Sequence, residues 1–511
     1  MWYIQSNLIF YGLTISFHRS KEVFVCCLIV SLRCVFWVAP SIRGGGIDSP
    51  RPASQRAAAF ILTAAMLTTL AAPAFAGTWY IEDGDITVKA GETEGTNKVS
   101  QGANQEVEDT DTIIKNREDT ASSNTVTIEA EKKDDKVEVT LKDVNIDTSS
   151  RNKAAVSVTG SGNTTIKLDG DNHLTGGNGS SGISSSGSLT ITGGETDSLT
   201  AKGGSGEDGG DGIFSKDLTI SGGTVTATGG GSTGSDRPCG YGIFSTNTTT
   251  ISGGTVTATG GDSTGSYSSG GYGIYSSGVT ISGGTVTANG GSGKDGSGDG
   301  IFSFDPVAIS GGTVTAKGGS GEDGSGGRGI ISTKSVTISG GTVNANGGSG
   351  KNGNGGSGII GSGRVAVSGG TVNAAGGDGG NGKDGGDGIY SSDIDLSGSL
   401  ELTAKAGSPN GKALSQKGSE LVLDTIKDKL GPGAKVTATD ADGKVIDQVP
   451  TPRPVEPEGP VIPEESSSSS DGGSATPSAP ASPLPGLTVT DKSGAVIDSI
   501  STQSGNTLTV C

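Results

Sequence analysis

The chain has 511 residues, of which 93 are glycine; hydrophobic residues make up 31%, aromatic residues 4%, and the formal net charge is −18. So few bulky side chains exclude a row of conventional domains with large apolar cores, and glycines that come in pairs rather than at every third position exclude collagen. The hydrophobic residues recur at fixed intervals, which excludes a fully disordered chain.

The N-terminal region contains a pattern typical of a secretory signal. Residues 51 to 76 carry two arginines, then an apolar stretch, then small residues ending at Ala76. This order predicts cleavage after Ala76 and a bacterial protein that is secreted or held at the cell surface. Residues 1 to 50 are interpreted as an unstructured start-site extension. The alternative is a transmembrane helix over residues 23 to 38, but Arg33 interrupts a run already shorter than the roughly 20 residues that span a bilayer.

Charge and cysteine content limit the partners of the exported chain. Without residues 1 to 76 it has 30 basic and 52 acidic residues, a net charge of −22. Such a surface disfavours nucleic acid and anionic membranes, so we expect neither as a partner beyond the export signal. Only Cys239 and Cys511 remain. The chain therefore has no disulfide framework and no paired-cysteine metal motif.

The central region is a repeat. Residues 77 to 180 contain alternating strand patterns and predict irregular N-terminal coils with a cap, whereas residues 181 to 407 repeat every 28 to 31 residues. Each copy has three short β-branched runs and none shows a helical period. We therefore predict an all-β, parallel β-helix with about 29 residues and three strands per coil, right-handed by the general rule for parallel crossovers. One equivalent apolar position is held by Ile191, Ile220, Ile251, Ile281, Ile309, Ile338, Val367 and Leu396.

Alternation within each run predicts the cross-section of a coil. Leu218 and Ile220 should point inward and Thr219 outward, because successive strand residues face opposite sides. The Gly222-Gly223 pair and its equivalents fit corners that need positive φ. A single coil buries too little apolar surface to fold alone, so the coils are expected to fold as one body. The longer Gly/Ser/Asp corners are expected to be flexible or to hold cations.

The C-terminal region divides into three parts. Residues 408 to 449 predict a cap, with a short helix over 419 to 430 and a final strand pair over 435 to 449. Residues 450 to 485 are rich in proline and serine and predict a stiff, extended linker. Residues 486 to 511 predict a short terminal β segment, which is either a small module or a segment that is cut short.

The segment VTLKDVNID, AAVSVTG, NTTIKLDGDNHLTGG, followed by LTISGGTVTATGG units, resembles secreted bacterial carbohydrate-binding parallel β-helix proteins, typified by a clostridial cellulose- and pectin-binding surface protein. The resemblance covers roughly residues 78 to 407. It implies a secreted protein that binds calcium and holds polysaccharide without cleaving it. The long Gly/Ser corners depart from the family, so no ligand-contacting residue is carried over.

One aromatic position recurs in successive copies of the repeat, directly after the isoleucine that begins the first of the three strands, as Phe214 follows Ile213. If the isoleucine points inward, its neighbour points outward, and stacked coils make a ladder of rings about 4.8 Å apart. Exposed rings can stack on sugars, although the same rings could instead fill a corner beneath the glycine loops. The predicted carbohydrate-binding residues are Phe214, Phe244, Tyr275, Phe302 and Tyr390.

Two further surface features could bind a ligand. Thr224, Thr226 and their equivalents form a hydroxyl lattice that could meet an ordered surface, but threonine is also the usual outward residue of a solvated strand. Corner loops such as 203 to 208 match the start of the calcium nonapeptide GGxGxDxUx but lack its apolar residue. Acidic residues on two neighbouring loops make the predicted calcium site, the alternative being a solvated acidic corner. These residues are Asp295, Asp299, Glu322 and Asp323.

These patterns favour a non-catalytic carbohydrate-binding protein that holds a cellulose- or pectin-like polysaccharide. The first alternative is a structural or adhesive surface stalk. A polysaccharide lyase or hydrolase needs clustered carboxylates on strands, and the repeat strands carry almost no charge. Nor does His173, placed by its neighbours in a polar turn, support a Ser/His/Asp triad. We therefore expect no enzymatic activity.

Overall fold

The computed structural model describes residues 76 to 449, except 238 and 267, and the backbone of four short terminal strands. The predicted start-site extension, nearly all of the export signal and the linker therefore lie outside the described residues. The four terminal strands form two antiparallel pairs: Ile9–Phe10 with Leu13–Thr14, and Ser501–Ser504 with Thr507–Val510.

Three sheets run along the length of the molecule, and each coil adds one strand to each of them. Some long strands bend at a corner and serve two sheets. The first sheet contains Ile86–Ala90, Val126–Ala130, Val156–Gly160, Ile183–Ser185, Ile213–Ser215, the starts of Ile243–Ile251 and Ile274–Ile281, Ile301–Ser303, Ile330–Ser332, Ile359–Gly361, Ile389–Ser391 and Leu414–Gln416. The second contains Thr78–Tyr80, Ile113–Lys115, Lys136–Lys142, Asn163–Asp169, Ser188–Thr192, Asp217–Ile220, the ends of Ile243–Ile251 and Ile274–Ile281, Val307–Ile309, Ser335–Ile338, and the starts of Arg364–Ala375 and Ile394–Lys405. The third contains Asn145–Asp147, Asp171–Asn178, Ser198–Gly204, Thr224–Thr228, Thr255–Thr259, Thr285–Asn289, Thr313–Lys317, Thr342–Asn346, the ends of Arg364–Ala375 and Ile394–Lys405, and Lys435–Thr439.

Equivalent residues of neighbouring coils pair in parallel and in register, as Val225 does with Val256. The predicted all-β parallel solenoid is thus confirmed, with about ten turns of roughly 29 residues. Leu218 and Ile220 are buried while Thr219 is half-exposed, as the alternation predicts. The core is one continuous column of small and medium apolar side chains shared by all coils.

The corner between the second and third sheets is made by the glycine pairs. The second glycine of each pair has φ between 75° and 80°, a conformation that residues with a Cβ rarely adopt. This confirms the predicted role for the second glycine and shows that the first does not share it. The residues concerned are Gly223, Gly254, Gly284, Gly312, Gly341 and Gly370.

Antiparallel hairpins lie at both ends of the solenoid. At the N-terminal end, Asn97–Gln101 pairs with Ile86–Ala90 and with Asn104–Asp109. At the C-terminal end, Lys435–Thr439 pairs with Val445–Val449, where the sequence predicts a final strand pair. Such pairs cover the open ends of a solenoid, which would otherwise expose unpaired backbone groups.

The predicted short helix over residues 419 to 430 is not an α-helix. The structure has the strand Ser419–Glu420 and two 3₁₀ turns, Leu423–Thr425 and Lys427–Lys429. Leu423 and Ile426 are buried in these turns, so a short irregular segment already covers the end of the core. A third 3₁₀ turn, Ile81–Asp83, lies near the N-terminal hairpin.

The long Gly/Ser corners form an ordered extension of the solenoid, which we call the glycine arm (residues 203–210, 229–240, 260–271, 290–298, 318–327, 347–356 and 376–386). Each coil contributes two limbs, joined by hydrogen bonds that alternate within and between coils. The Gly327 N–H donates to the Gly319 carbonyl at 3.0 Å, and the Gly348 N–H donates to the Gly327 carbonyl at 2.7 Å. The same alternation continues through Gly356 and Gly377. The expectation of flexible corners is therefore wrong for these limbs.

The glycine arm depends on the absence of side chains. An added Cβ would lie 2.0 Å from a carbonyl oxygen at Gly319, 1.9 Å at Gly327 and 1.8 Å at Gly348. These glycines have no positive φ, so close approach of backbones, rather than backbone conformation, requires them. Glycine is thus used in two ways, for turning at one corner and for packing in the arm.

Candidate functional site

Four of the five predicted rings form a continuous row on the outer side of the first sheet. Phe214 pairs with Phe244, Phe244 with Tyr275, and Tyr275 with Phe302 on successive coils. All four are half-buried. Ring centroids of successive members are 5.1 Å apart. The predicted ladder therefore exists, but each ring is also in contact with its neighbours.

Tyr390, the fifth predicted ring, lies apart from the others. Ile331 and Ile360 occupy the same row between Phe302 and Tyr390. Tyr390 is exposed, with 39% of its surface accessible. The row thus continues as an apolar stripe, but its aromatic part ends at Phe302.

Three more rings complete what we call the aromatic patch. Tyr241 and Tyr272 lie two residues before the inward isoleucines of their coils, and Phe304 follows Phe302 at the next corner. The Tyr241 and Tyr272 centroids are 5.3 Å apart, and Phe304 lies 5.0 Å from Phe302 in an edge-to-face arrangement. Such contacts are favourable for aromatic pairs. The members are Phe214, Tyr241, Phe244, Tyr272, Tyr275, Phe302 and Phe304.

The patch lies where the glycine arm meets the first sheet. Tyr241 and Tyr272 directly follow arm glycines, and they line a pocket of about 280 Å³. Arm residues, among them Arg237 and Ser269, line the same pocket. Arg237 also forms an exposed ion pair with Asp208 at 3.3 Å. Rings and polar groups therefore meet in a concave surface.

The phenols of the patch stay protonated at physiological pH. Burial raises the pKa of Tyr241 well above its usual range, with a smaller contribution from neighbouring Tyr272. Burial, followed by the charge of Asp299, raises the pKa of Tyr272 to about 12. Both hydroxyls can therefore donate hydrogen bonds to a polar ligand.

Two carboxyl groups bracket the tyrosines in the same row: Asp299 is buried, and Asp211 is half-buried. Asp211 accepts a hydrogen bond from the Tyr241 N–H at 2.7 Å, and burial raises the pKa of its carboxyl to about 7. Asp299 accepts one from the Arg328 N–H at 2.6 Å, and burial raises its pKa to about 6. Three coils separate the two, roughly 14 Å at strand spacing. That exceeds both carboxyl separations used by glycoside hydrolases, so this pair does not match their active sites.

The residues around His173 predict a polar turn, but the structure places His173 in a strand. It belongs to the strand Asp171–Asn178, where its side chain points outward and is exposed. The segment is rich in Asp, Asn and Gly, which are typical of turns. This composition obscured a strand pattern in which exposed residues alternate with buried Asn172 and Leu174.

The four predicted calcium ligands do not form one cluster. Asp299 is buried at the base of the arm, whereas Asp295, Glu322 and Asp323 are exposed on its outer part. Glu322 pairs with Lys351 at 3.1 Å, and the Asp323 carboxylate accepts a hydrogen bond from Asn352 at 2.9 Å. Across residues 76 to 449, as far as they are described, no three His, Cys, Asp or Glu side chains are grouped to hold a metal ion. Calcium binding stays a prediction.

The threonine lattice of the third sheet is in register. Thr224, Thr255 and Thr285 pair on successive coils, and Thr313 continues the row. The second row changes to asparagine, where Asn373 donates a hydrogen bond to Asn344 at 2.9 Å. This face is flat and hydroxylated, and it lacks the rings and concavity of the aromatic patch.

Tyr241, Tyr272 and Phe304 were missed in the sequence. One signal for the tyrosines was present, because YGI occurs where other copies have DGI, RGI or SGI. Alternation alone would place a residue two positions before the isoleucine on the inward side, so it does not predict that these rings join the ladder. Their contact with the ladder requires knowledge of the ring orientations, which the alternation of strand residues does not supply.

Comparison with known proteins supports the fold. A family model described as a beta helix repeat matches residues 218–243, 250–274, 279–301, 307–330 and 336–359, one match for each of five successive coils. No curated protein and no solved structure matches the chain significantly. In the described part of the chain, no helix has the length and apolar character needed to cross a membrane. The three sheets show that the described chain is a parallel β-helix, and five of its successive coils match the beta helix repeat model.

Proposed function

We propose that this chain is a secreted or cell-surface protein that binds polysaccharide, without cleaving it, along the aromatic patch. The observation that carries the proposal is the set of seven rings from four successive coils, gathered beside a polar pocket. A single exposed ring is common on protein surfaces, whereas a continuous aromatic surface is a feature of ligand-binding sites.

The repeat spacing suits a linear glycan. Successive coils are about 4.8 Å apart, close to the length of one β-1,4-linked hexose, so a chain lying along the axis would meet a similar surface at each residue. The apolar C–H faces of the sugars would contact the patch, while Tyr241 and Tyr272 and the arm residues would bond the hydroxyls. Phe304, with 45% of its surface accessible, supplies the most open ring.

The charge of the exported chain favours a neutral glycan. At −22, it would repel a polyuronate such as pectin unless cations bridged the two. A cellulose-like glucan carries no charge and meets no such barrier. The signal-like order of residues 51 to 76 and the resemblance to secreted carbohydrate-binding β-helix proteins support the same proposal.

Binding of the full chain to glycans tests the proposal. We expect retention on insoluble cellulose, and we expect Tyr275→Ala and Phe302→Ala each to weaken it about threefold to tenfold, because one aromatic contact contributes about 0.5 to 1.5 kcal/mol. The matched controls are Thr287→Ala and Thr315→Ala, which change half-exposed residues of the third sheet on the same coils. Their binding should equal that of the unsubstituted chain.

Three results would contradict the proposal. Equal losses in the threonine and aromatic variants would move the site away from the patch. Absence of retention on cellulose and on polygalacturonate, with and without calcium, would favour the surface stalk. Release of reducing or unsaturated sugars would show an enzyme.

A further inference from the structure

The C-terminal end of the solenoid exposes an apolar edge. The cap hairpin (residues 435 to 449) pairs its first strand in parallel with Ile394–Lys405, and its second strand, Val445–Val449, pairs only with the first among the described strands. Val445 and Ile446 are 48% and 49% exposed, and nearby Val422 is 58% exposed. An edge strand with exposed apolar residues is a template for pairing with another strand.

The sequence contains a second copy of this hairpin. VTATDADGKVIDQV, residues 436 to 449, aligns without a gap to LTVTDKSGAVIDSI, residues 487 to 500. Seven of the fourteen positions are identical: Thr437/Thr488, Thr439/Thr490, Asp440/Asp491, Gly443/Gly494, Val445/Val496, Ile446/Ile497 and Asp447/Asp498.

The shared residues include those that make the turn. The Asp440 carboxylate accepts hydrogen bonds from the N–H groups of Asp442 and Lys444, and Gly443 has a φ of 84°. Asp491 and Gly494 keep both requirements in the second copy. Residues 487 to 500 therefore carry the information for the same hairpin.

The second copy needs an apolar surface. Val436 and Ala438 of the cap hairpin are buried against the core, and their equivalents are the larger Leu487 and Val489. A two-stranded hairpin alone is at best marginally stable in water, so these side chains require a partner. Residues 450 to 485 join Val449 to the second copy, and 36 residues can bridge at most about 110 Å at about 3.1 Å per residue. The second copy is thus tethered to the exposed edge of the same molecule, so pairing between them is intramolecular.

We propose that residues 487 to 500 fold as a second cap hairpin and pair with the free edge of Val445–Val449 in the same chain. This contact covers Val422, Val445 and Ile446 and adds a further layer to the C-terminal cap. It is independent of the proposed polysaccharide binding, because the aromatic patch ends on a coil far from the cap.

Hydrogen exchange of the full chain tests the pairing. We expect backbone amides of residues 445 to 449 and of 487 to 500 to exchange at least tenfold more slowly than those of the linker. Ile446→Lys and Val489→Pro should each remove that protection from residues 487 to 500 and from those amides of 445 to 449 that are not bonded to Lys435–Thr439, since one change disrupts the edge and the other the added strand. Lys435–Thr439 should stay protected in both variants, which shows that the solenoid cap is still folded.

The matched control is Val107→Lys, which charges a 39% exposed valine in the N-terminal hairpin and should leave both segments protected. The proposal is overturned if Val489→Pro leaves residues 445 to 449 unchanged. It is also overturned if protection rises with protein concentration, because the partner would then be a second copy of the chain.

Discussion

Asp299 shows how one residue in a regular repeat can carry a local cost. Asp299 is 1% exposed, and its Oδ2 atom has no hydrogen-bond partner among the described residues. Burial raises the pKa of its carboxyl to about 6, although Arg328, 3.7 Å from Oδ1, opposes the rise. The native state therefore binds the proton more tightly than the unfolded state, whose pKa is near 3.8. Stability from this group is present at low pH and is lost as pH rises from about 4 through 6.

We expect Asp299→Asn to stabilise the protein at neutral pH. Asparagine keeps the oxygen that accepts the Arg328 N–H and carries no charge. A pKa difference of roughly two units sets an upper limit of about 3 kcal/mol for the gain at pH 7.5, and the gain should vanish near pH 4. Urea unfolding of both chains at the two pH values measures it.

The control is Asp295→Asn, which removes an exposed carboxylate from the same loop. It should change the free energy of unfolding only slightly, and by the same amount at both pH values. The quantity to compare is the gain in free energy of unfolding that Asp299→Asn gives over the unsubstituted chain at the two pH values. A gain that is no larger at pH 7.5 than at pH 4 would contradict the assignment of a costly buried charge.

Among the structural elements, the glycine arm differs most from what its composition suggests. Gly/Ser-rich segments are usually flexible linkers. Here their glycines bond to one another across the limbs and along the coils, with N···O distances of 2.7 to 3.0 Å from Gly291 to Gly407. The arm is also the wall beside Tyr241 and Tyr272, so its order determines the shape of the proposed binding surface.

Gly319→Ala should destabilise the protein through steric overlap in the arm. Its Cβ would lie 2.0 Å from the Gly291 carbonyl oxygen, so the limbs must separate. Overpacking of this kind typically costs about 1 to 3 kcal/mol. Chemical unfolding should show a lower midpoint, and hydrogen exchange should show faster exchange of the arm amides.

Gly278→Ala is the matched control, because the nearest atom to its added Cβ is the Thr248 side chain at 3.8 Å. Replacing that strand glycine should be neutral or slightly stabilising, since alanine loses less backbone entropy on folding. Equal destabilisation by both variants would show that close packing in the arm is not what requires glycine.

The repeat strands could be predicted and the arm could not, for a physical reason. Leu218 and Ile220 reveal a strand because they face the core while the residue between them faces solvent. Gly223, the second glycine of its pair, reveals a corner because it follows the strand at a fixed distance. Gly319 and Gly327 have no side chain to show a pattern, so their hydrogen bonds cannot be inferred from composition. The row of rings was predictable for the same reason as the strands, whereas the contacts of Tyr241 depend on the arm.

At the scale of the whole molecule, the solenoid is a stack of units that stabilise one another. Each coil buries side chains only against its two neighbours, and the core column runs without interruption through the described residues. Stability is then close to a sum over coils and their interfaces. Whole coils should therefore be removable, whereas fractions of a coil should not.

Deletion of residues 330 to 358 tests this property. The deletion joins Gly329 to Ile359, recreates the glycine-isoleucine junction and brings Ile301–Ser303 against Ile359–Gly361. We expect a folded, cooperatively unfolding protein whose urea m-value is lower by about a tenth, since about one turn in ten is lost. The aromatic patch ends at Phe304, so glycan retention should be unchanged. Deletion of residues 330 to 343 is the control: half a coil misaligns all three sheets at that point, so the coils on its two sides should no longer unfold in one transition. Loss of cooperativity in the first variant, or a single cooperative transition in the second, would contradict the nearest-neighbour account.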